Sequence, residues 1–167
     1  NVAIATILQH LRGAFDRLSL METRTTSAEE LQQYAADFVR SLAPNTQATL
    51  VTLSGELGAG KTTWVQGAAR ALGVAETVSS PTFVIEKIYQ LSDQKFARLI
   101  HIDAYRLKSS HELEVLGWNE LLDDPANLIL LEWPERVTEI LPKGAIALRF
   151  DIDNEHDGRI ITSTYGS

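Results

Sequence analysis

The chain has 167 residues, 44% of them hydrophobic and 22% charged, which is typical of one globular domain with its own core. It contains no cysteine, which excludes disulfides, thiolate catalysis and cysteine-based zinc sites. The formal net charge of −7 argues against a free-standing nucleic-acid binder, because contacts to nucleic-acid phosphates require a basic surface. No apolar run approaches the ~20 residues that a membrane-spanning helix needs.

The first twenty residues differ from the rest of the chain. Their apolar positions have the spacing of an amphipathic helix: Ile4, Ile7, Leu8, Leu11, Phe15 and Leu18. The only methionine is Met21, at the end of this stretch. We therefore expect residues 1–20 to be an N-terminal extension, an expression remnant or the result of an alternative start site. Residues 21–167 are then expected to form one domain.

The next elements alternate between helix and strand. Ser27 and Glu30 form a capping box for a helix that ends before Pro44. The β-favouring run "ATLVTLS", residues 48–54, predicts a strand. A glycine-rich loop follows, and then apolar residues at helical spacing up to Gly73, which is placed to end a helix. The order is strand, glycine loop, helix.

The second half contains two predicted hairpins and a buried strand. Residues 82–105 place β-favouring runs on either side of the polar turn "SDQ". Ser109 and Glu112 cap a short helix. Residues 127–135, "NLILLEWPE", begin as an apolar run typical of a strand buried on both faces. A last hairpin is predicted around "NEHDG", residues 154–158.

The stretch "GELGAGKTT", residues 55–63, fits the phosphate-loop pattern G-x-x-x-x-G-K-[ST]. Glycines let backbone N–H groups approach phosphate oxygens, and the helix N-terminus that follows attracts the same anions. Lys61 is suited to the β- and γ-phosphates, and the Thr62 hydroxyl to Mg²⁺. We therefore predict an α/β fold of the P-loop NTPase type. It would be a three-layer sandwich with a central, mostly parallel sheet and antiparallel hairpin additions.

Two acids at predicted strand ends compete for a role beside this loop. Glu132 ends "LILLE", a fully apolar run, and is the stronger partner for Thr62 as a magnesium ligand. Asp103 ends "LIHID", where His101 interrupts the run as in a half-exposed strand. An acid at a strand end is more often merely solvated. Two such acids next to one phosphate loop are more suggestive, and Asp103 stays open as a metal ligand or a group that orients water.

Two other residues have both a functional and a structural interpretation. Thr82, in "SSPTF", is placed to reach the γ-phosphate or metal as threonines of switch loops do. From spacing alone, a threonine that opens a strand after a proline turn is the commoner case. Trp133 follows Glu132 and either packs over the nucleotide or belongs to the core.

Four stretches together resemble the bacterial TsaE family, the small P-loop ATPases of tRNA threonylcarbamoyladenosine biosynthesis. They are "SGELGAGKTTWVQG", "VSSPTFVIEKIY", "HIDAYRL" and "LILLEWPE". The resemblance runs from about residue 29 to about residue 150 and keeps the family's order. Each motif alone is weak, but the ordered set is highly specific. Ala104 departs from the bulky residue that is more usual in the third stretch.

The resemblance implies ATP and Mg²⁺ as cofactors, with Thr62 and Glu132 as the metal ligands. Lys61, Asp103, Glu132 and Thr82 are implied to act in catalysis. The residues implied to contact the nucleotide are Glu56, Leu57, Gly58, Ala59, Gly60, Lys61, Thr62, Thr63 and Trp133.

The resemblance also implies a cytoplasmic protein that hydrolyses ATP weakly alone and works with TsaD and TsaB. It would meet tRNA only through that complex, in support of modification of adenosine 37, and would not act at a membrane. Two alternatives stay open: a small-molecule kinase, and a nucleotide-dependent interaction module with negligible turnover. The kinase is disfavoured because no lid with clustered arginines is apparent in the sequence.

Overall fold

The computed structural model describes residues 20–81 and 84–165. The strands are β1 (Leu20–Thr25), β2 (Thr49–Gly55), β3 (Glu86–Gln90), β4 (Arg98–Asp103), β5 (Asn127–Glu132), β6 (Ile146–Asp153) and β7 (Gly158–Tyr165). The helices are α1 (Ala28–Ser41), α2 (Lys61–Ala71), α3 (Ser110–Val115) and α4 (Trp118–Asp123). Two 3₁₀ turns follow β5, at Pro134–Arg136 and Thr138–Ile140.

Most of the predicted elements are present, with shifted boundaries. The helix proposed within residues 1–20 falls almost entirely outside the described residues. Strand β1 begins at Leu20, one residue before the expected domain start, and neither β1 nor α4 was predicted. At the start of α1 the Ser27 Oγ accepts the Glu30 N–H, as a capping box requires. The Glu30 carboxylate, however, accepts the Thr26 N–H, 2.7 Å away.

The seven strands form one mixed sheet in the order β1-β7-β6-β2-β5-β4-β3. The four central strands β6, β2, β5 and β4 are parallel. Strand β3 at one edge, and β7 and β1 at the other, pair antiparallel. The prediction of a mostly parallel centre with antiparallel hairpin additions is therefore confirmed.

Helices cover both faces of the sheet, because successive side chains of its central strands point to opposite faces. On one face α1 and α2 pack against residues such as Leu53 and Leu130, with the indole of Trp64 fully buried between Phe38 and Phe150. On the other face α3, α4 and the segment after β5 cover a second apolar cluster. The molecule is a three-layer sandwich, as predicted.

Within the described residues, none of the helices combines the length and apolar character needed to cross a membrane.

Candidate functional site

The glycine-rich loop leads from the end of β2 to the first residue of α2. Gly55, Gly58 and Gly60 have φ values of +141°, +81° and +103°, a backbone region that side chains disfavour. A Cβ on Gly55 would also overlap the carbonyl oxygen of Phe150 on β6. Glycine is therefore required where the chain leaves β2. The loop wraps around the N-terminus of α2, where backbone N–H groups lack helical partners.

Lys61 is the first residue of α2, and its side chain folds back into the loop. Its Nζ donates to the carbonyl oxygens of Gly55, at 2.6 Å, and Glu56, at 2.9 Å. Only 5% of the residue is exposed. The Nζ also lies 4.0 Å from the ring centroid of Trp133. Burial lowers the pKa of the Lys61 ammonium, although the nearby Glu132 carboxylate opposes this shift. The loop thus holds a largely desolvated cation at its centre.

The second residue of α2 meets the acid that ends β5. The Thr62 Oγ1 donates to the Glu132 carboxylate, with both carboxylate oxygens at 3.1 Å. Glu132 is 2% exposed. Its Oε1 also lies 2.8 Å from the Nε2 of His101 on β4. A carboxylate oxygen accepts hydrogen bonds, so the His101 tautomer with its proton on Nε2 is the one that suits this contact. Two donors therefore fix the orientation of the Glu132 carboxylate.

Asp103 ends β4 directly beside Glu132, its register partner on β5. It is 3% exposed, and its Oδ1 accepts the Tyr105 N–H at 3.0 Å. Its Oδ2 accepts a hydrogen bond from the Ser80 hydroxyl. Both acids belong to neighbouring parallel strands, so their carboxylates lie at the same edge of the sheet.

Trp133 follows Glu132 in a left-handed conformation, with φ +60° and ψ +51°. Its N–H donates to the Leu53 carbonyl of β2, 3.1 Å away, which holds this turn against the central strand. Its ring centroid lies 4.9 Å from that of Tyr105. The Trp133 ring therefore has the Lys61 Nζ against it and the Tyr105 ring packed beside it. Trp133 lines a cleft beside the loop and also packs against the second apolar cluster, so both interpretations made from the sequence stay open.

These residues surround a cleft of about 330 Å³, called here the phosphate cleft. Of the residues suggested by the sequence, those that line the cleft are Leu57, Gly58, Gly60, Lys61, Thr62, Thr63, Asp103, Glu132 and Trp133. Ala59 is fully buried beneath the loop, and Glu56 contributes its carbonyl to Lys61. Thr82 lies outside the described residues, so its suggested role stays a prediction.

Three residues at this site were not singled out from the sequence: His101, Ser80 and Tyr105. His101 is fully buried, and the expectation that β4 is half-exposed is wrong, because helices cover both faces of the sheet there. The available signal was the two-residue spacing to Asp103, which places both side chains on one face of β4. Among the described residues the His101 Nδ1 has no hydrogen-bond partner.

The oxygen atoms of Thr62 and Glu132 fit Mg²⁺, which prefers oxygen ligands and is commonly held by one or two protein groups together with phosphates and waters. Within residues 20–81 and 84–165 no group of three His, Cys, Asp or Glu side chains is arranged to hold a metal. The hydroxyl and carboxylate already in contact are the pair that would take part.

The sheet is mixed, with a parallel centre, and its strand β2 leads through a glycine loop to a buried lysine and a threonine–glutamate pair. This arrangement defines a P-loop NTPase-like α/β protein. The family model for "Threonylcarbamoyl adenosine biosynthesis protein TsaE" matches residues 25–161. The chain belongs to this TsaE family, which confirms the resemblance seen in its motifs.

Proteins named tRNA threonylcarbamoyladenosine biosynthesis protein TsaE are similar over most of the chain. One from Streptomyces coelicolor is 45% identical over 104 residues, which are 61% of this chain and 68% of that protein. One from Borreliella burgdorferi is 37% identical over 67% of this chain and 78% of that protein. The crystal structure of Bacillus subtilis YdiB superposes with a TM-score of 0.73 at 29% identity, covering 91% of this chain and 89% of that one.

Proposed function

We propose that this chain is a magnesium-dependent ATPase that acts with TsaD and TsaB in the modification of adenosine 37 of tRNA. Its part in tRNA threonylcarbamoyladenosine biosynthesis follows from membership of the TsaE family. The observation that carries the ATPase proposal is the contact between Thr62 and Glu132 beside the buried ammonium of Lys61. The ammonium suits the phosphates of a nucleoside triphosphate, and the hydroxyl and carboxylate suit its metal.

Six residues of the phosphate cleft have a task in this proposal. Lys61 would exchange its two carbonyl partners for phosphate oxygens, which neutralise its desolvated charge. Thr62 and Glu132 would hold Mg²⁺, which when bound offsets the negative charge of the phosphoryl oxygens. Asp103, whose carboxylate lines the same cleft, would orient the attacking water. Trp133 and Tyr105 would shield the phosphates from bulk solvent.

The net charge of −7 supports a protein that reaches tRNA through partners, since a surface that binds RNA directly is expected to be basic. The expected setting is the cytoplasm, where these partners and tRNA would meet.

The test is the rate of ATP hydrolysis with and without purified TsaD and TsaB. Turnover should rise strongly with both partners in the wild-type chain and stay at background in Lys61→Ala. The matched control is Lys143→Ala, because Lys143 is an exposed lysine remote from the loop. Phosphate transfer to a small acceptor would support a kinase instead. Nucleotide binding without turnover under any condition would support an interaction module.

A further inference from the structure

His101 is a polar side chain in the interior of the protein. It lies near the end of β4, two residues before Asp103, and it is 0% exposed. A polar ring in such a place is costly unless its polar atoms are paired. In the described part of the chain its one hydrogen-bond partner is the carboxylate of Glu132.

The two ring nitrogens of His101 have different surroundings. Nε2 lies 2.8 Å from Oε1 of Glu132. Nδ1 is buried and has no hydrogen-bond partner among residues 20–81 and 84–165. A proton on Nδ1 alone would therefore be a buried donor without an acceptor, and Nε2 would face the carboxylate with a lone pair. The neutral ring with its proton on Nε2 avoids both costs, so His101 acts as a single, fixed donor to Glu132.

This donor makes the two oxygen atoms of Glu132 unequal. Oε1 has both the His101 ring and the Thr62 hydroxyl within hydrogen-bond distance, whereas Oε2 has only the Thr62 hydroxyl among the described residues. Thr62 cannot create this difference, because its Oγ1 is 3.1 Å from both oxygens. An oxygen that accepts a hydrogen bond from a rigid ring has less capacity left for a cation. His101 is therefore the residue that determines which oxygen of Glu132 stays available.

We propose that His101 is a positioning residue for the magnesium site: its Nε2–H holds Oε1 of Glu132 and leaves Oε2 for the metal. This inference rests on the proposed function, in which Thr62 and Glu132 hold Mg²⁺. His101 does not line the phosphate cleft, so it acts through Glu132. Hydrogen-bond partners of this kind orient the side chains that bind a metal, and their loss typically lowers metal affinity or activity by about 10–100-fold.

The test measures how much Mg²⁺ tightens the binding of a hydrolysis-resistant ATP analogue to the whole chain. Titration calorimetry with Mg²⁺ and with a chelator gives two affinities, and their ratio is called here the magnesium gain. His101→Leu removes both ring nitrogens, so the magnesium gain should fall at least about tenfold while the magnesium-free affinity stays within about twofold. His101→Gln retains a side-chain N–H donor, so its magnesium gain should stay within about threefold of wild type.

Two further variants separate positioning from packing. His101→Met is a second variant without a donor, and its flexible side chain adapts to the available space, so it should lose the magnesium gain as His101→Leu does. Leu99→Val changes a fully buried side chain on the same face of β4. It should lower Tm but leave the magnesium gain unchanged. Thermal unfolding shows that each variant is folded.

Nitrogen NMR of the His101 ring in the wild-type chain is a test that needs no substitution. The signals should show a protonated Nε2 and an unprotonated Nδ1, both in the free protein and with the analogue and Mg²⁺ bound. A ring whose proton is on Nδ1 alone would overturn the proposal.

The outcomes distinguish this proposal from the proposed function. A wild-type chain without any magnesium gain would contradict the proposed function itself. If the wild type has the gain and both donor-free variants keep it, only the role of His101 is overturned. Equal losses in His101→Gln and His101→Leu, or an equal loss of magnesium-free affinity, would show that the residue serves packing and would also overturn that role.

Discussion

Replacing Gly55 by alanine tests whether the conformation of the phosphate loop depends on glycine at the end of β2. The φ of +141° costs a side-chain-bearing residue about 1–3 kcal/mol. The new Cβ would also overlap the Phe150 carbonyl oxygen and lie 3.1 Å from the Phe150 Cβ. These contacts are to the backbone and the base of a side chain in a paired strand. Relieving them therefore requires the backbone to shift, at a cost of about 1–3 kcal/mol. The free energy of unfolding should therefore fall by about 4 kcal/mol.

Two other glycines provide matched controls. Gly58 has a φ of +81°, but a Cβ there would meet no atom within 4 Å, so Gly58→Ala should cost only the backbone term, about 1–2 kcal/mol. Gly144 has open space and no positive φ, so Gly144→Ala should change stability by less than about 0.5 kcal/mol.

Thermal unfolding measures all three variants in the ligand-free protein. At about 3 °C per kcal/mol for a chain of this length, the expected decreases in Tm are about 12 °C, about 4 °C and about zero. Urea unfolding should give the same order, with similar m-values. If Gly55→Ala were as stable as Gly144→Ala, the close approach of the loop to β6 would be wrong, and with it the loop conformation that places Lys61.

Three further outcomes are expected from the site and the edge of the sheet. Glu132→Gln keeps the shape but removes the charge, so half-maximal turnover should need at least about tenfold more Mg²⁺ while magnesium-free nucleotide binding is retained; equal loss of both would indicate a structural role. Asp103→Asn should bind ATP–Mg²⁺ within about threefold of wild type yet lose at least about 100-fold in partner-stimulated turnover; unchanged turnover would remove Asp103 from the chemistry. Burial raises the pKa of the Glu86 carboxyl because it disfavours the charged form. The contribution of Glu86 to the free energy of unfolding is therefore most favourable below the unfolded pKa near 4.5, and it is lost as the pH rises through the folded pKa. Glu86→Gln should therefore raise Tm at pH 7 but not at pH 4, and equal shifts at both values would refute this cause.

The parts of the site that could be predicted from the sequence depend on local spacing. The loop and the two residues that follow it, Lys61 and Thr62, lie within one short stretch bounded by a strand and a helix. Glu132 was found because a strand buried on both faces is a continuous apolar run that ends on an acid. In each case the signal lies within about ten residues, and no knowledge of the strand order is needed.

The parts that were missed depend on partners far apart in the chain. Strand β1, LMETRT, is mostly polar without an alternating pattern. It becomes a strand by pairing with β7, from Leu20 opposite Thr164 to Thr25 opposite Arg159. The burial of His101 likewise follows from the central packing of β4, between β5 and β3 with helices on both faces. One polar residue in an apolar run does not distinguish a solvated position from a buried hydrogen-bonded one. What makes His101 a buried, hydrogen-bonded residue is its contact with Glu132, which lies thirty-one residues later in the chain.

The order of the strands is what turns separate motifs into one site. Because β5 lies between β2 and β4, the loop that follows β2, the acid that ends β5 and the acid that ends β4 meet at one edge of the sheet. The Leu53 carbonyl of β2 binds the Trp133 N–H, and the Glu132 carbonyl binds the Ala104 N–H, so backbone hydrogen bonds continue past the strand ends. These bonds hold Glu132 and Asp103 on rigid backbone rather than on free loops. The two acids are therefore fixed beside a loop whose shape depends on its glycines. The site is preorganised at the place where phosphate charge would be bound.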